Sequence, residues 1–156
     1  MAETNDHGAL LIDRVNMEII RHLWDGRIAF SVIAKNLGVT ENTVRARVRK
    51  LTESGVLQII GLVDAEVIPG HSTAFFGLRT RLEDVIRVGE EVSRLRGVVA
   101  AGCVTGRFDV MGLALLSEEF RLYHFLAEEL PRVEGIISAE TFAVFKGFNF
   151  NVRYVL

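Results

Sequence analysis

Between residues 41 and 52 the chain carries Arg45, Arg47, Arg49 and Lys50 against a single acid, Glu41. On a wheel of about 100° per residue, Val44, Val48 and Leu51 share one face. Asn42, Arg45 and Arg49 cluster on the opposite face, with Thr43, Ala46 and Lys50 beside them. Short polar side chains near a helix N-terminus suit base edges in DNA, and cations further along suit phosphates. The same residues would also make an ordinary solvated helix face, so the context decides. Leu37-Gly38-Val39-Thr40-Glu41-Asn42-Thr43-Val44 reads as a helix–turn–helix with Thr40 as the cap. The expected contacts to double-stranded DNA are therefore Thr40, Asn42, Thr43, Arg45, Ala46, Arg47, Arg49 and Lys50.

A second polar grouping is Thr105-Gly106-Arg107-Phe108-Asp109. Gly102 and Gly106 let a small molecule approach the backbone, and the Asp109 carboxylate can accept an ammonium group. Spacing alone fits a plain β-turn, with Asp109 capping its own loop, better than a ligand site. Catalytic chemistry finds no footing. His7, His22, His71 and His124 include no pair at i, i+4, and Cys103 is the lone cysteine. No metal site and no internal disulfide are expected. Neither a GxGxxG nor a phosphate-binding P-loop occurs. The chain reads as a non-enzyme without a cofactor.

These residues need elements to hold them. The 156 residues suffice for one domain or two small ones, and 18 Lys+Arg against 20 Asp+Glu exclude a strongly basic or acidic disordered chain. Apolar residues make up 49% and mean hydropathy is +0.28. The longest apolar runs, 98–104 and 110–116, fall far short of the ~18 residues a spanning helix needs. The apolar surplus reads as subunit interface in a homo-oligomer. The polar start Met1-Ala2-Glu3-Thr4-Asn5-Asp6-His7 does not look like a signal peptide. A cytoplasmic location with no membrane partner is expected.

Residues 1–64 are expected to form a helix-turn-helix domain of three helices and a short ribbon. Asp13 caps a first helix with Val15, Ile19 and Leu23 inward, further helices run over 31–37 and 41–54, and 56–63 makes a β-ribbon. Residues 65–70, with Pro69-Gly70, read as a hinge. Residues 71–156 contain a repeat: Leu95-Arg96-Gly97-Val98-Val99-Ala100-Ala101 is echoed by Val133-Glu134-Gly135-Ile136-Ile137-Ser138-Ala139. Each glycine follows a helix and precedes a strand. The first helix carries Val85, Val88, Val92 and Leu95, the second Phe120, Tyr123, Ala127 and Leu130 behind a Ser117 cap. With strands over 73–80, 98–105, 109–116 and 136–145, the result is a ferredoxin-like βαββαβ domain, and the whole chain is α+β. Helices cover one sheet face only, leaving Phe75, Val104, Met111, Leu113 and Phe142. Burying each is worth roughly 1.5–3 kcal/mol, which predicts a dimer closed sheet to sheet. The aromatic tail 146–154 is assigned no role.

The motifs Ile12-Asp13-Arg14-Val15-Asn16, Asp25-Gly26-Arg27-Ile28, Ile33-Ala34-Lys35-Asn36-Leu37-Gly38-Val39-Thr40 and Arg47-Val48-Arg49-Lys50-Leu51-Thr52-Glu53-Ser54-Gly55-Val56-Leu57 precede Val104-Thr105-Gly106-Arg107-Phe108-Asp109. In these motifs and their order the chain resembles the Lrp/AsnC (feast/famine) transcriptional regulators over essentially its whole length. The resemblance implies a winged helix-turn-helix that binds DNA as a dimer and a RAM-type sensing domain. It also implies assembly into dimers and commonly an octamer of four dimers. Small effectors, usually amino acids, would sit between dimers near Gly106-Arg107-Phe108-Asp109, with Phe142-Ala143-Val144 at effector-sensitive positions. The implied effector set is Gly102, Val104, Thr105, Gly106, Arg107, Asp109, Phe142, Ala143 and Val144. Asn16 replaces a usual second acid, Ala46-Arg47 a frequent Arg-Arg pair, and Arg107 an acid found in many relatives. Two alternatives stand beside this reading. A nucleoid-compacting architectural protein is disfavoured by the near-neutral first block. A tetrapyrrole-decarboxylase relative would need clustered His, Arg and Tyr, where the second block offers only His71 and His124.

Overall fold

The computed structural model describes residues 12–156, so the reading of the first seven residues lies outside it. The chain divides into two compact units, one ending at Ile60 and the other spanning Gly61–Leu156. In the first unit, α1 (Arg14–His22) starts where the Asp13 carboxylate accepts the Asn16 N–H at 2.7 Å, satisfying one of the unpaired donors at a helix start. A tight turn, Leu23–Asp25, ends it. Helices α2 (Phe30–Leu37) and α3 (Glu41–Glu53) follow. The inward spacing of Ile19, Ile33, Val44 and Val48 converges on one core, completed by Leu23 and Ala34.

The ribbon expected over 56–63 is not formed. Residues 57–61 have no regular structure, and β1 (Leu62–Asp64) pairs antiparallel with β6 (Asn151–Arg153), Val63 opposite Val152. The first unit therefore contains helices and no strand among its described residues. The division falls before Gly61 instead of after residue 64. Residues 65–70, read as a hinge, lie within the second unit, where Ala65 is buried with Leu115 and Val152. The cause is a partner strand at the far end of the chain, which local alternation cannot disclose.

The second unit runs β2 (Ser72–Thr80), α4 (Val85–Val92), β3 (Val98–Cys103), β4 (Val110–Leu116), α5 (Leu122–His124) and β5 (Ile136–Ala143). Its antiparallel sheet has the order β3-β4-β2-β5, the ferredoxin-like arrangement. Gly97 and Gly135, the glycines of the repeat, sit at φ 80° and 89°, a left-handed turn that favours a residue without Cβ. The second helix departs from its expected stripe. Ser117 caps a turn ahead of it, its hydroxyl accepting the Phe120 N–H at 3.1 Å. Past His124 the helix widens into a π turn, Phe125–Glu129, and then tightens over Leu130–Arg132. Phe125, at the start of the π turn, is completely buried, while Tyr123 before it is exposed.

Along β2, Ala74, Phe76 and Leu78 pack under the helices against Val88, Val92 and Phe125. The other face divides in two. Val63, Ala65, Phe150 and Val152, from the β1–β6 ribbon and its flanks, cover Val99, Leu113 and Leu115, with the Phe150 ring tilted against Phe75 at 5.8 Å. Glu66 fastens the tail, accepting from Lys146 Nζ at 2.8 Å and from the Gly147 N–H. The remainder of the face, with Phe75, Val104, Met111 and Phe142, stays more than a third exposed.

Candidate nucleic-acid interface and ligand site

The turn between α2 and α3 is set by backbone chemistry. Gly38 closes α2 in the left-handed conformation, and the Val39 N–H donates to the Ala34 carbonyl at 3.0 Å. Thr40 then caps α3, its hydroxyl accepting the Thr43 N–H at 3.2 Å and bonding the Thr43 hydroxyl at 2.9 Å. Thr40 and Thr43 thus hold the turn. With Val44, Val48 and Leu51 buried, α3 leaves Asn42, Arg45, Ala46, Arg49 and Lys50 exposed along its length. Arg45 pairs with Glu41 at 2.6 Å and lies 5.4 Å over the Phe30 ring, while Arg49 is 3.8 Å from Glu53. Such exposed i,i+4 pairs contribute only about 0.3–0.5 kcal/mol, so a phosphate can displace them.

Arg47 is different. Its Nη1 donates to Asp13 Oδ2 at 2.5 Å and to Asn16 Oδ1 at 2.9 Å, and Asn16 is buried. The guanidinium ties α3 to the start of α1 and turns away from the Asn42–Arg49 face. Two helical steps of about 100° each separate Arg47 from Arg49, so Arg47 stands on the flank of the core face while Arg49 stands on the outer face. The Arg47 guanidinium, with the Asn16 N–H, holds the Asp13 carboxyl below its ordinary 3.8. Asn16, where an acid is usual, keeps this arrangement by accepting through its amide oxygen.

In the second unit the 104–109 hairpin is closed by the Val104 N–H bonding the Asp109 carbonyl at 3.0 Å. The Asp109 carboxylate does not cap its own loop. Its Oδ2 accepts the Thr80 N–H at 2.8 Å, and the Asp109 N–H donates to the Leu78 carbonyl at 2.9 Å. The hairpin is thereby sewn to the end of β2. Phe108 folds over Gly77, where an added Cβ would come within 2.5 Å of the ring, and meets Phe142 edge-on at 6.2 Å. Arg107 spans to Glu140, both carboxylate oxygens 2.7 Å from its Nη2. Thr105 and Gly106 are exposed, and open space surrounds the Cβ directions of Gly102 and Gly106.

The expected ligand residues do not all meet. Phe142 reaches the hairpin through Phe108, and Gly102 and Val104 line an adjoining hollow with Phe75 and Met111. Ala143 pairs with Ala74, and the Val144 N–H donates to Thr73, at the opposite end of β2. Four residues at ~3.3 Å each separate Ala74 from Leu78, roughly 13 Å. Ala143 and Val144 instead line a cleft of about 330 Å³ with Thr73, Ser117, Glu118 and Arg121. Spacing also missed Glu140 and the Thr80 N–H, the partners of Arg107 and Asp109. Only the strand register, unavailable in sequence, brings them together. Among the described residues no group of three or more His, Cys, Asp or Glu side chains could hold a metal, and no helix is long and apolar enough to cross a membrane.

Residues 12–52 match the AsnC-type helix-turn-helix domain, and residues 73–151 match the Lrp/AsnC ligand binding domain. An HTH-type transcriptional regulator of Pyrococcus abyssi is 32% identical over 132 residues, 83% of this chain and 84% of its own. The solved AsnC of E. coli superposes with a TM-score of 0.65 at 23% identity, covering 87% of this chain and 93% of that one. A Neisseria meningitidis transcriptional regulator, solved in complex with L-Met, gives a TM-score of 0.67 at 19% identity, with 93% and 96% covered.

Proposed function

Because the chain belongs to the Lrp/AsnC family of transcriptional regulators, we propose that it reads a specific operator through the outer face of α3 and answers to an amino acid. The observation that carries the first part is the row of Asn42, Arg45, Ala46, Arg49 and Lys50, exposed behind a turn capped by Thr40. Asn42 and Arg45 take base edges, and Arg49 and Lys50 take phosphates. The chain works as a cytoplasmic DNA-binding regulator with no catalytic step.

The ligand-binding domain makes the protein responsive to a small molecule. An amino acid suits the hairpin: backbone N–H groups around the exposed Gly106 meet a carboxylate, and Asp109 meets an ammonium. The L-Met bound by the Neisseria protein supports the class of ligand. Since Ala143 and Val144 lie across the sheet from Asp109 within one chain, they contribute to the same site only from another copy. Assembly is therefore part of the proposal: dimers close over the open sheet face of Phe75, Met111 and Phe142, and four dimers bring hairpins and strand ends together as an octamer.

A thermal-shift screen of the twenty amino acids, followed by calorimetric titration of the best hit, tests the ligand. Loss of a charge-assisted bond worth about 1.5–3 kcal/mol should weaken binding ten- to hundred-fold or more in Asp109→Ala, with effector-free DNA binding retained. An unchanged dissociation constant removes Asp109 from the site.

A further inference from the structure

The tail of the second unit presents two aromatic side chains to solvent. Phe145 is 98% exposed and Phe148 84%, on the loop between β5 and β6. That loop is fastened, since Glu66 takes both the Lys146 ammonium and the Gly147 N–H. Phe150, from the same loop, already lies over Phe75 on the non-helical sheet face. Two phenylalanines held in water forfeit their burial term unless another surface covers them.

The uncovered part of that sheet face supplies a matching surface. Phe75, Ala100, Gly102, Val104, Met111 and Leu113 line a hollow of about 460 Å³ without a charged group among them. Nothing stands within 4 Å of the Gly102 Cβ direction, so the hollow is open there to the backbone. A dry cavity of ~150 Å³ accepts a benzene ring, so this hollow has room for two phenyl groups.

We infer that Phe145 and Phe148 of each chain fill this hollow on a second copy, making the tail a reciprocal clasp across the sheet-to-sheet dimer. The inference rests on the dimer reading above and adds the side chains that secure it. The exchange is isologous: a two-fold axis lying between the sheets, oblique to the strands, carries the β5 end of one chain onto the β3–β4 end of its partner. The area suits a stable pair. At 150–250 Å² per aromatic side chain, the exposed parts of Phe75, Phe142, Phe145 and Phe148 come to about 500 Å² per chain. Two chains together offer about 1,000 Å² before Val104 and Met111 are added, close to the 1,200–2,000 Å² that specific interfaces bury.

Sedimentation of the full-length protein tests this, with Phe145→Ser/Phe148→Ser and Met111→Arg beside the wild type. Both residues of the double variant are solvent-exposed, so its thermal melt at high concentration should keep the wild-type cooperativity. Its dimer dissociation constant should rise roughly 30-fold or more, as for loss of central aromatic anchors. Met111→Arg, which places a charge in the hollow, should dissociate the dimer as well. If Met111→Arg dissociates and the double variant does not, the clasp is wrong and the sheet-face dimer stands. If neither dissociates, both fall. A second measurement is independent of affinity. In a Cys103→Ser background, Phe145→Cys and Val104→Cys chains are mixed and treated with a short bismaleimide. A 145–104 cross-link between chains is expected, and its absence overturns the clasp.

Discussion

On α3, Asn42, Arg45 and Arg49 reach solvent side by side from a single helix. In the second unit, Asp109 and Ala143, expected in one ligand site, sit at opposite ends of β2. The first surface lies along one helix, whereas the second is divided between two ends of a strand and, under the proposed function, is completed by another copy. The difference follows from how each is built. A helix repeats every ~3.6 residues, so short spacing places side chains on a common face. A sheet assembles its neighbours through register, and residues close in the chain diverge along a strand by ~3.3 Å each. The two arginines at these sites show the same contrast. Arg47 and Arg107 were both expected to meet a ligand, and each is held by a carboxylate of its own chain, Asp13 or Glu140.

The contrast breaks most visibly at the base-reading positions. Asn42→Ala with Arg45→Ala should remove roughly 1–3 kcal/mol of discrimination for each lost bidentate base contact, read as the affinity ratio between operator and mismatched DNA. Equal loss on both DNAs would return these residues to general electrostatics. The next largest effect separates two cations on one helix. Arg47→Ala should cost the first unit about 1–2 kcal/mol, because the buried Asn16 oxygen loses its charged donor. It should leave the salt dependence of DNA binding nearly unchanged. Arg49→Ala should do the opposite, lowering the slope of log K against log salt by up to about 0.9 with no change in melting temperature. A shared phenotype would erase the distinction.

A smaller change sharpens the second region. Glu140→Gln releases Arg107 from an exposed ion pair of about 0.2–1 kcal/mol. Effector affinity should shift less than about five-fold, and a larger shift would mean that Arg107 is itself a ligand contact. The smallest effect is a pH dependence. Asp13 ionises below its ordinary 3.8 when folded, owing first to Arg47. Its pairing therefore stabilises fully above that value and is lost as the pH falls through the depressed folded one. The gap in melting temperature between wild type and Arg47→Ala should narrow as the pH falls below 3.8, leaving the share due to Asn16, and a constant gap would assign the stabilisation to Asn16 alone.

Legibility in the sequence followed the range of the interactions. The Asp13 and Thr40 caps, the Val44–Val48–Leu51 core stripe and the Gly97/Gly135 repeat are local signals, and each led to the right element. The Phe75, Met111 and Phe142 face was legible from alternation, since the opposite parity belongs under the helices. Alternation misled at 56–63, where apolar residues suggested a ribbon but the partner strand lies at 151–153. For the same reason the aromatic tail had no reading: its role is to cover Leu113 and Leu115, which only the folded sheet brings beneath it. The partner of Arg47 was out of reach for the same reason, since Asp13 lies 34 positions away at the start of α1.

The central claim is that α3 reads sequence, as distinct from coating DNA. Its most direct test is the affinity of the full-length protein for its own promoter and for random DNA of equal length, titrated at one fixed physiological salt concentration. The promoter dissociation constant should lie at least about 10³-fold below that for random DNA. Equal affinities within about ten-fold, falling together as salt rises, would contradict it and leave an architectural DNA-binding protein in its place.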